Sequence, residues 1–234
     1  MPEPETNGRV MVIVAHPDDA EFAAGGTIAK WANEGREVVY VVCTNGNKGS
    51  SDLSMTSDKL APIREQEQRN AAAVLGVKEA VFLGYPDGGL EDTPAFREEL
   101  VRMIRLHRPD TVVVMDPFRR PMQHRDHRVA GQVALDAVFP YARDHLSYPE
   151  HLEEGLLPHK VGEVYIAGAE GADTFVDISI SFSKKIDALR CHVSQVGSRP
   201  REEFEQRLRE GSEALGKTCG LPMAEAFRRL ELRR

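Results

Sequence analysis

Near its start the chain has Arg9 followed by the apolar run Val10-Met11-Val12-Ile13-Val14-Ala15, which leads directly into His16-Pro17-Asp18-Asp19. A continuous apolar run of this length is typical of a strand buried on both faces of a parallel sheet. Pro17 cannot donate a ladder hydrogen bond, so the polar residues belong to the loop at the carboxyl end of the strand. The stretch therefore predicts a buried first strand that ends in charged residues.

The same order of elements repeats downstream. A helix opened by Gly25-Gly26-Thr27 ends at Gly35, and the strand Glu37 to Cys43 follows at once. We predict further helices over residues 61–75, 94–107, 127–138, 183–194 and 202–215, and further strands over residues 80–83, 111–115, 163–167 and 174–178. Strand, helix and strand with short links predict right-handed parallel crossovers. The expected fold class is α/β, a Rossmann-like three-layer fold with a mostly parallel sheet and helices on both faces.

The domain organisation follows from what the sequence lacks. No internal repeat, low-complexity linker or break in composition divides the chain. We predict a single domain over residues 1–234, with a core at about 9–197 and a C-terminal helical extension at about 198–234.

Composition excludes several functional classes. Of the 234 residues, 41% are apolar and 29% charged, as in ordinary globular proteins. The net charge of -7, without a long basic stripe, argues against a nucleic-acid partner and favours a small-molecule substrate. No apolar run approaches the roughly 20 residues that span a bilayer, and the N-terminus has no signal-peptide pattern. Three distant cysteines favour a reducing cytoplasm. The sequence leaves a homo-oligomer open.

Ligands of such sheets bind outside the carboxyl ends of the strands. Four polar loops are expected there: residues 16–19, 44–58, 85–89 and 116–127. His16 and Asp19 on one tight turn, together with His127, are three ligands of the types that zinc binds. A zinc ion with three protein ligands would lower the pKa of a water to about 7 and polarise a carbonyl. Both effects favour amide hydrolysis.

Two further residues complete the predicted catalytic group. Asp18 lies beside Asp19 but points in another direction, which leaves it free to act as general base. His124 precedes His127 by three positions, so it would share a helical face with it and stabilise a tetrahedral oxyanion. Paired aspartates also often cap helices, and a His-x-x-His pair is often solvated surface. Both motifs follow buried strands at one end of the sheet, and this coincidence favours the metal site.

Several motifs occur together in this chain. They are Ala15-His16-Pro17-Asp18-Asp19-Ala20-Glu21, Gly25-Gly26-Thr27-Ile28-Ala29, Thr44-Asn45-Gly46 with Lys48-Gly49, Phe82-Leu83-Gly84-Tyr85-Pro86-Asp87-Gly88, and Asp116-Pro117 followed by His124-Arg125-Asp126-His127. In these motifs the sequence resembles the PIG-L-type (LmbE-like) zinc-dependent de-N-acetylases, which act on N-acetylglucosaminyl phosphatidylinositol and on sugar intermediates of low-molecular-weight thiols. The resemblance runs from about Arg9 to Gly197.

The resemblance implies a hydrolase that removes the N-acetyl group from an N-acetylglucosaminyl conjugate. It implies one Zn²⁺ per chain held by His16, Asp19 and His127, with other divalent transition metals left open. It also implies Asp18 as general base and His124 as oxyanion stabiliser or acid.

Four more residues are candidates with two interpretations each. Arg64 and Asp87 are predicted to bind substrate, although Arg64 could pair with neighbours on its own helix and Asp87 could cap a turn. Asp116 is predicted to orient a metal ligand from outside, or else to cap the end of its strand. Glu21 is displaced one place from the commoner position of an acid in the family motif. It could support the ligands or act as a first-turn helix acid. The remaining histidines, His107, His145, His151, His159 and His192, are expected to be surface or structural.

Other functions remain open at this point. A thiol-conjugate amidase would use the same water chemistry on another substrate. A receiver-type signalling domain would place paired acids after its first strand to bind magnesium, but it would have no use for the histidines. A nucleotide-binding module is disfavoured, because neither Gly-x-Gly-x-x-Gly nor a Walker motif is present.

Overall fold

The computed structural model describes residues 8–119 and 123–232, and it contains a seven-stranded sheet. The strands are β1 (Arg9–Val14), β2 (Glu37–Thr44), β3 (Glu79–Tyr85), β4 (Thr111–Met115), β5 (Glu163–Ala167), β6 (Thr174–Asp177) and β7 (Ala224–Glu231). The helices are α1 (Asp19–Asn33), α2 (Ser57–Leu75), α3 (Pro94–His107), α4 (Arg125–Val138), α5 (Glu150–Glu153), α6 (Phe182–Arg190), α7 (Val193–Val196) and α8 (Arg201–Cys219), with a 3-10 turn at Tyr141–Arg143.

The sheet has the strand order β3-β2-β1-β4-β5-β7-β6. Strands β1 to β5 pair in parallel, whereas β7 is antiparallel to both of its neighbours. The chain winds outward from β1 to β3 and then returns to β4 on the other side of β1. The boundary between β1 and β4 is thus the point where the winding reverses, which is where α/β sheets bind ligands. The predicted fold class is confirmed.

Two cores fill the space between the sheet and its helical layers. On one face Ile13, Val112 and Val114 pack against α3 and α4. On the other face Val12 and Val42 pack against α1, α2 and α6. Alternate residues of each strand serve opposite cores, which explains why the strands are apolar throughout. In the described part of the chain, no helix is both long enough and apolar enough to cross a membrane.

Helix α1 begins earlier than expected and is broken inside. The helix was predicted to open at Gly25-Gly26-Thr27, yet it begins at Asp19 and is interrupted at Ala24, whose φ of -147° is not helical. The break frees the backbone N–H groups of Gly26 and Thr27, which donate to Glu225 at 3.0 and 2.7 Å. The two glycines therefore mark the start of a second helical segment capped by a distant carboxylate.

The C-terminal part departs from the predicted helical extension. Helix α8 is present, but residues 224–231 form β7, which is inserted between β5 and β6. Alanine, glutamate, arginine and leucine favour helix locally, and pairing with two strands overrides that preference. The helix predicted over 183–194 is likewise two helices, α6 and α7, separated by Cys191 and His192.

Candidate active site

The loops at the carboxyl edge bring the predicted ligands together. His16 follows β1, and His127 lies in the first turn of α4, 111 positions later. Nδ1 of His16 lies 3.2 Å from Nε2 of His127. The Asp19 carboxylate contacts both rings, with Oδ2 at 3.3 Å from His16 Nδ1 and Oδ1 at 3.1 Å from His127 Nε2. His16, Asp19 and His127 thus face a common point.

The spacing of these atoms fits a tetrahedral metal ion. Ligand atoms at zinc distances of about 2.0–2.1 Å would be separated from one another by about 3.3–3.4 Å. The three observed contacts, 3.1 to 3.3 Å, are close to that value. The donor set, two imidazole nitrogens and a carboxylate, is also one that zinc accepts. These residues form a candidate metal site.

The electrostatics of the ligands favour a bound cation. Burial lowers the pKa of His16, but hydrogen bonds and negative charge from Asp19 and Asp87 outweigh burial and raise it to about 10. Burial acts to raise the pKa of Asp19, yet hydrogen bonds with His127 and His16 dominate and hold it well below its usual range. The acids therefore make this pocket a place of strong negative potential. A divalent ion would compete there with the proton of the His16 imidazole.

The second ring nitrogen of His16 is held by carboxylates. Nε2 lies 3.3 Å from Oδ2 of Asp126 and 3.2 Å from Oδ1 of Asp87. Asp126 is fully buried and also accepts the backbone N–H groups of Gly88 and Leu90, at 2.6 and 3.3 Å. Asp126 is thus held by backbone N–H groups and contacts the His16 ring, as carboxylates behind metal-binding imidazoles commonly do.

Asp126 is a site residue that the sequence analysis did not single out. It lies inside the quoted motif between His124 and His127, where an acid in the first turn of a helix has an ordinary explanation through the helix dipole. Its position between two candidate histidines was the only available signal.

His124 lies at the N-terminal end of α4 with its side chain 46% exposed. Its Nδ1 accepts the backbone N–H of Asp126 at 3.1 Å, so in the neutral ring the proton is on Nε2. Nε2 is 4.0 Å from Oδ1 of Asp87. Partial burial and the nearby charges of His16 and His127 lower the pKa of His124. The ring therefore presents a hydrogen-bond donor beside the candidate metal site.

Asp18 stands beside the ligands in an unusual backbone conformation. Its φ is 99°, a region that costs a residue with a side chain about 1–3 kcal/mol. Its N–H donates to Oε1 of Gln68 at 2.9 Å, and Arg64 lies 3.5 Å from Oδ2. Burial and the charge of Asp19 raise the pKa of Asp18 to about 7. A carboxyl group poised near neutrality suits proton transfer in both directions.

Arg64 and Asp87 are more deeply buried than residues that only contact substrate would be. Arg64 is 4% exposed, and it donates to the carbonyls of Pro17 at 2.6 Å and Gly46 at 3.0 Å. It therefore ties the loop after β1 to the loop after β2, and it does not pair with its neighbours on α2 in these contacts. Asp87 is 7% exposed and lies between His16 and Arg64, 3.8 Å from the guanidinium.

Asp116 and Glu21, the two residues predicted to support the ligands, form hydrogen bonds with other partners in the described structure. Asp116 accepts the N–H of Phe118 at 2.8 Å and so caps the turn after β4. Glu21 is fully buried and contacts Gln68 at 2.9 Å and His192 at 3.2 Å. His192, expected to be surface or structural, is therefore buried behind Asp18. The contacts with ligands predicted for Asp116 and Glu21 stay predictions.

A cavity of about 900 Å³ opens beside Asp19 and His127, between α1 and α8. Its wall includes the apolar Phe22 and Leu208 and the basic Arg119 and Arg207. The space admits more than an acetyl group, and its mixed lining suits a polar molecule with an apolar face.

The sequence and the structure match known proteins. The family described as GlcNAc-PI de-N-acetylase, PIG-L, matches residues 11–138. Diacetylchitobiose deacetylase of Thermococcus kodakarensis is 35% identical over 94% of this chain and 82% of its own. The 1D-myo-inositol 2-acetamido-2-deoxy-alpha-D-glucopyranoside deacetylase of a Mycobacterium species is 28% identical over 82% of this chain and 75% of its own. The solved N,N'-diacetylchitobiose deacetylase of Pyrococcus horikoshii has a TM-score of 0.90 and 32% identity, covering 96% of this chain and 84% of that one.

Proposed function

Because this chain belongs to the PIG-L (GlcNAc-PI de-N-acetylase) family and is an amide-hydrolysing enzyme, we propose that it removes the N-acetyl group from an N-acetylglucosaminyl conjugate. One observation carries the proposal. His16, Asp19 and His127 each contact the other two within 3.3 Å, while Asp18 stands beside them and outside the set. A metal site next to a carboxylate that does not itself bind the ion is an arrangement that suits amide hydrolysis by water.

We infer that the ion is Zn²⁺, one per chain, held by His16, Asp19 and His127. Two imidazoles and a carboxylate suit zinc, whereas magnesium prefers oxygen ligands. When bound, zinc would supply a Lewis acid that polarises the amide carbonyl and makes a water more acidic. Other divalent transition metals bind the same donor types, so the metal content of purified protein tests this point directly.

Asp18 moves the proton in this proposal. Its carboxylate accepts a proton from the attacking water and then donates it to the nitrogen of the leaving amine. The Asp18 carboxylate lies 3.5 Å from Arg64, whereas the Asp19 carboxylate contacts His16 and His127, so the two neighbouring acids have different partners. Arg64, 3.5 Å away, favours the charged form of Asp18 that begins the cycle.

His124 stabilises the negative charge that develops on the amide oxygen. Its Nε2–H is free to donate because Nδ1 is occupied by the backbone of Asp126. A donor fixed in this way requires little reorganisation during the reaction. Asp126 keeps the His16 ring oriented from behind, as carboxylates commonly do for metal-binding imidazoles.

The substrate class follows from the relatives and from the pocket. The relatives named above act on diacetylchitobiose and on an N-acetylglucosaminide of inositol, both of which carry an acetamido group on a glucose ring. Asp87 would bind a sugar hydroxyl next to His124, and the cavity between α1 and α8 would hold the rest of the conjugate. The predicted contact of Arg64 with substrate stays a prediction. In the structure the Arg64 guanidinium lies 3.8 Å from the Asp87 carboxylate.

The thiol-conjugate amidase remains the second candidate, because it would use the same residues on another amide. The receiver-domain alternative is not supported, because a magnesium site would have no use for the imidazoles of His16 and His127, whose ring nitrogens lie 3.2 Å apart. A homo-oligomer and a cytoplasmic location stay predictions.

The test is release of acetate and free amine from a panel of substrates. The panel contains N-acetylglucosamine, N,N'-diacetylchitobiose, N-acetylglucosaminyl-inositol and a sugar-linked thiol conjugate. We expect turnover of an N-acetylglucosaminide, loss on chelation and recovery with Zn²⁺. Asp18→Asn should lower kcat by about 10²- to 10⁴-fold with one equivalent of metal retained. Asp136→Asn, in the last turn of α4 and outside the candidate site, is the matched control. Turnover of the thiol conjugate alone would favour the amidase. Full activity of Asp18→Asn would show that Asp18 is not the general base.

A further inference from the structure

Behind Asp18 lies a chain of buried hydrogen bonds that joins three separate parts of the fold. The N–H of Asp18 donates to Oε1 of Gln68 at 2.9 Å, and Nε2 of the same amide donates to Oε1 of Glu21 at 2.9 Å. Oε2 of Glu21 lies 3.2 Å from Nε2 of His192. Gln68, Glu21 and His192 are all 0% exposed. None of these three side chains contacts His16, Asp19 or His127 in the described structure.

The chemistry of each partner sets the direction of the chain. A carboxylate only accepts hydrogen bonds, so Glu21 must face the amide nitrogen of Gln68. The amide oxygen is then left facing Asp18, where it accepts the backbone N–H. A flipped amide would place two donors together at Asp18 and two acceptors together at Glu21. Glu21 therefore determines which end of Gln68 meets the general base.

His192 supplies the opposing donor for the buried Glu21. Its Nδ1 is buried and has no hydrogen-bond partner among the described residues, so the proton of the neutral ring is on Nε2, facing the carboxylate. The turn that carries His192 is itself fixed by Glu67, which accepts from the N–H and the hydroxyl of Ser194 at 2.7 and 2.6 Å. Two adjacent residues of α2 are thus involved: Glu67 holds the turn that carries His192, and Gln68 bonds Asp18.

Asp18 needs such a support because of its backbone. A positive φ is unfavourable for a residue with a side chain, and it persists only where the surroundings hold it. In the described structure, the side chain that bonds the Asp18 N–H belongs to Gln68. We infer that Gln68 is a positioning residue that aims Asp18 at the reacting water, and that Glu21 and His192 act through it by fixing its orientation. This inference rests on the proposed function.

The first test replaces Gln68 by a side chain of similar length that cannot form these hydrogen bonds. Gln68→Met should lower kcat by about 10- to 100-fold, because a small displacement of a reacting group has effects of this order. KM should stay within twofold, because Asp87 and His124 are untouched. Metal content and the visible absorption of the Co²⁺-substituted protein should be unchanged, because the ligand set is intact.

The second test acts at the far end of the chain of hydrogen bonds. His192→Ala removes the donor to Glu21 and should lower kcat in the same direction, whereas His192→Gln supplies an amide N–H and should restore most of it. Leu75→Val, which removes one buried methylene at the other end of α2, is the control for lost stability. It should lower the melting temperature and leave kcat unchanged. In the double variant, His192→Ala should add little to Gln68→Met, because both act through one contact.

The outcomes separate this inference from the proposed function. A kcat of Gln68→Met within twofold of the parent, or a loss that follows loss of metal, would overturn the inference and leave the deacetylase intact. Equal kcat values for His192→Ala and His192→Gln would do the same. If the parent releases no acetate from any substrate, a crystal structure of Gln68→Met still gives an answer. Asp18 should leave its positive φ, and an unchanged Asp18 would count against positioning by Gln68.

Discussion

Residues 9–138 and residues 139–232 contribute to the site in different ways. The first region carries the candidate ligands His16, Asp19 and His127 together with Asp18, the residue proposed to transfer the proton. The second region supplies none of these, yet it closes the sheet and sends buried partners to α1. Those partners are Lys185, His192 and Glu225. The candidate catalytic residues thus lie in the loops at the carboxyl ends of parallel strands. The residues that hydrogen-bond to the adjoining helix α1 can come from any segment that packs nearby.

The largest effect should follow from removing a ligand in the first region. His127→Ala takes away one of three protein ligands, so metal should be lost and acetate release should fall at least about a thousandfold. Metal analysis and acetate release measure the two effects on the same sample. His145→Ala, an exposed histidine outside the site, should change neither. A metal-loaded, fully active His127→Ala protein would mean that the ion is held elsewhere.

The next effect concerns the second region and is one of stability. Lys185 and Glu225 form a buried ion pair at 2.6 Å, with side chains 6% and 5% exposed. Lys185→Met leaves the carboxylate without its cation, which should lower the free energy of unfolding by about 3 kcal/mol, since broken buried pairs cost this much. Urea unfolding monitored by circular dichroism gives the value. A loss below 1 kcal/mol would show that the N–H groups of Gly26 and Thr27 suffice for Glu225.

A smaller effect is expected from the carboxylate behind His16. Asp126→Asn keeps the shape of the side chain but weakens its hold on the imidazole. Metal affinity or activity should fall by about 10- to 100-fold, as is usual for such outer partners. Competition with a chromophoric chelator measures the affinity. If affinity and kcat both match the parent, the orientation of His16 does not depend on Asp126.

The smallest effect belongs to a pair on the surface. Lys30 and Glu34 form an ion pair with side chains 40% and 49% exposed. Lys30→Met makes the same chemical change as Lys185→Met, yet it should alter the free energy of unfolding by no more than about 0.5 kcal/mol, because exposed pairs are well solvated. Urea unfolding of the two variants side by side checks this. Similar losses at both positions would show that burial does not set the cost.

Much of the fold was predictable, because most of its strands are clear apolar runs between turn residues. β4 and β5 have the predicted bounds, and β1 ends one residue before the predicted end, since apolar runs between turn residues admit few alternatives. β7 was missed because its residues favour helix and become a strand only through their neighbours. Gly25 and Gly26 were predicted to open a helix and instead mark the second segment of α1, whose capping carboxylate lies 199 positions away and leaves no local pattern.

The candidate metal site shows the same division. Its proposed ligands could be found from local spacing, because each motif directly follows a buried strand and parallel strands bring their carboxyl ends to one edge. The contacts that hold these residues, from Asp126 to His16 and from His192 to Glu21, could not be found in this way. Periodicity reports only which face of an element is buried, whereas the partner of a buried charge depends on which distant segment packs against it. Tertiary packing decides which segment supplies that partner, and no short stretch of sequence contains this information.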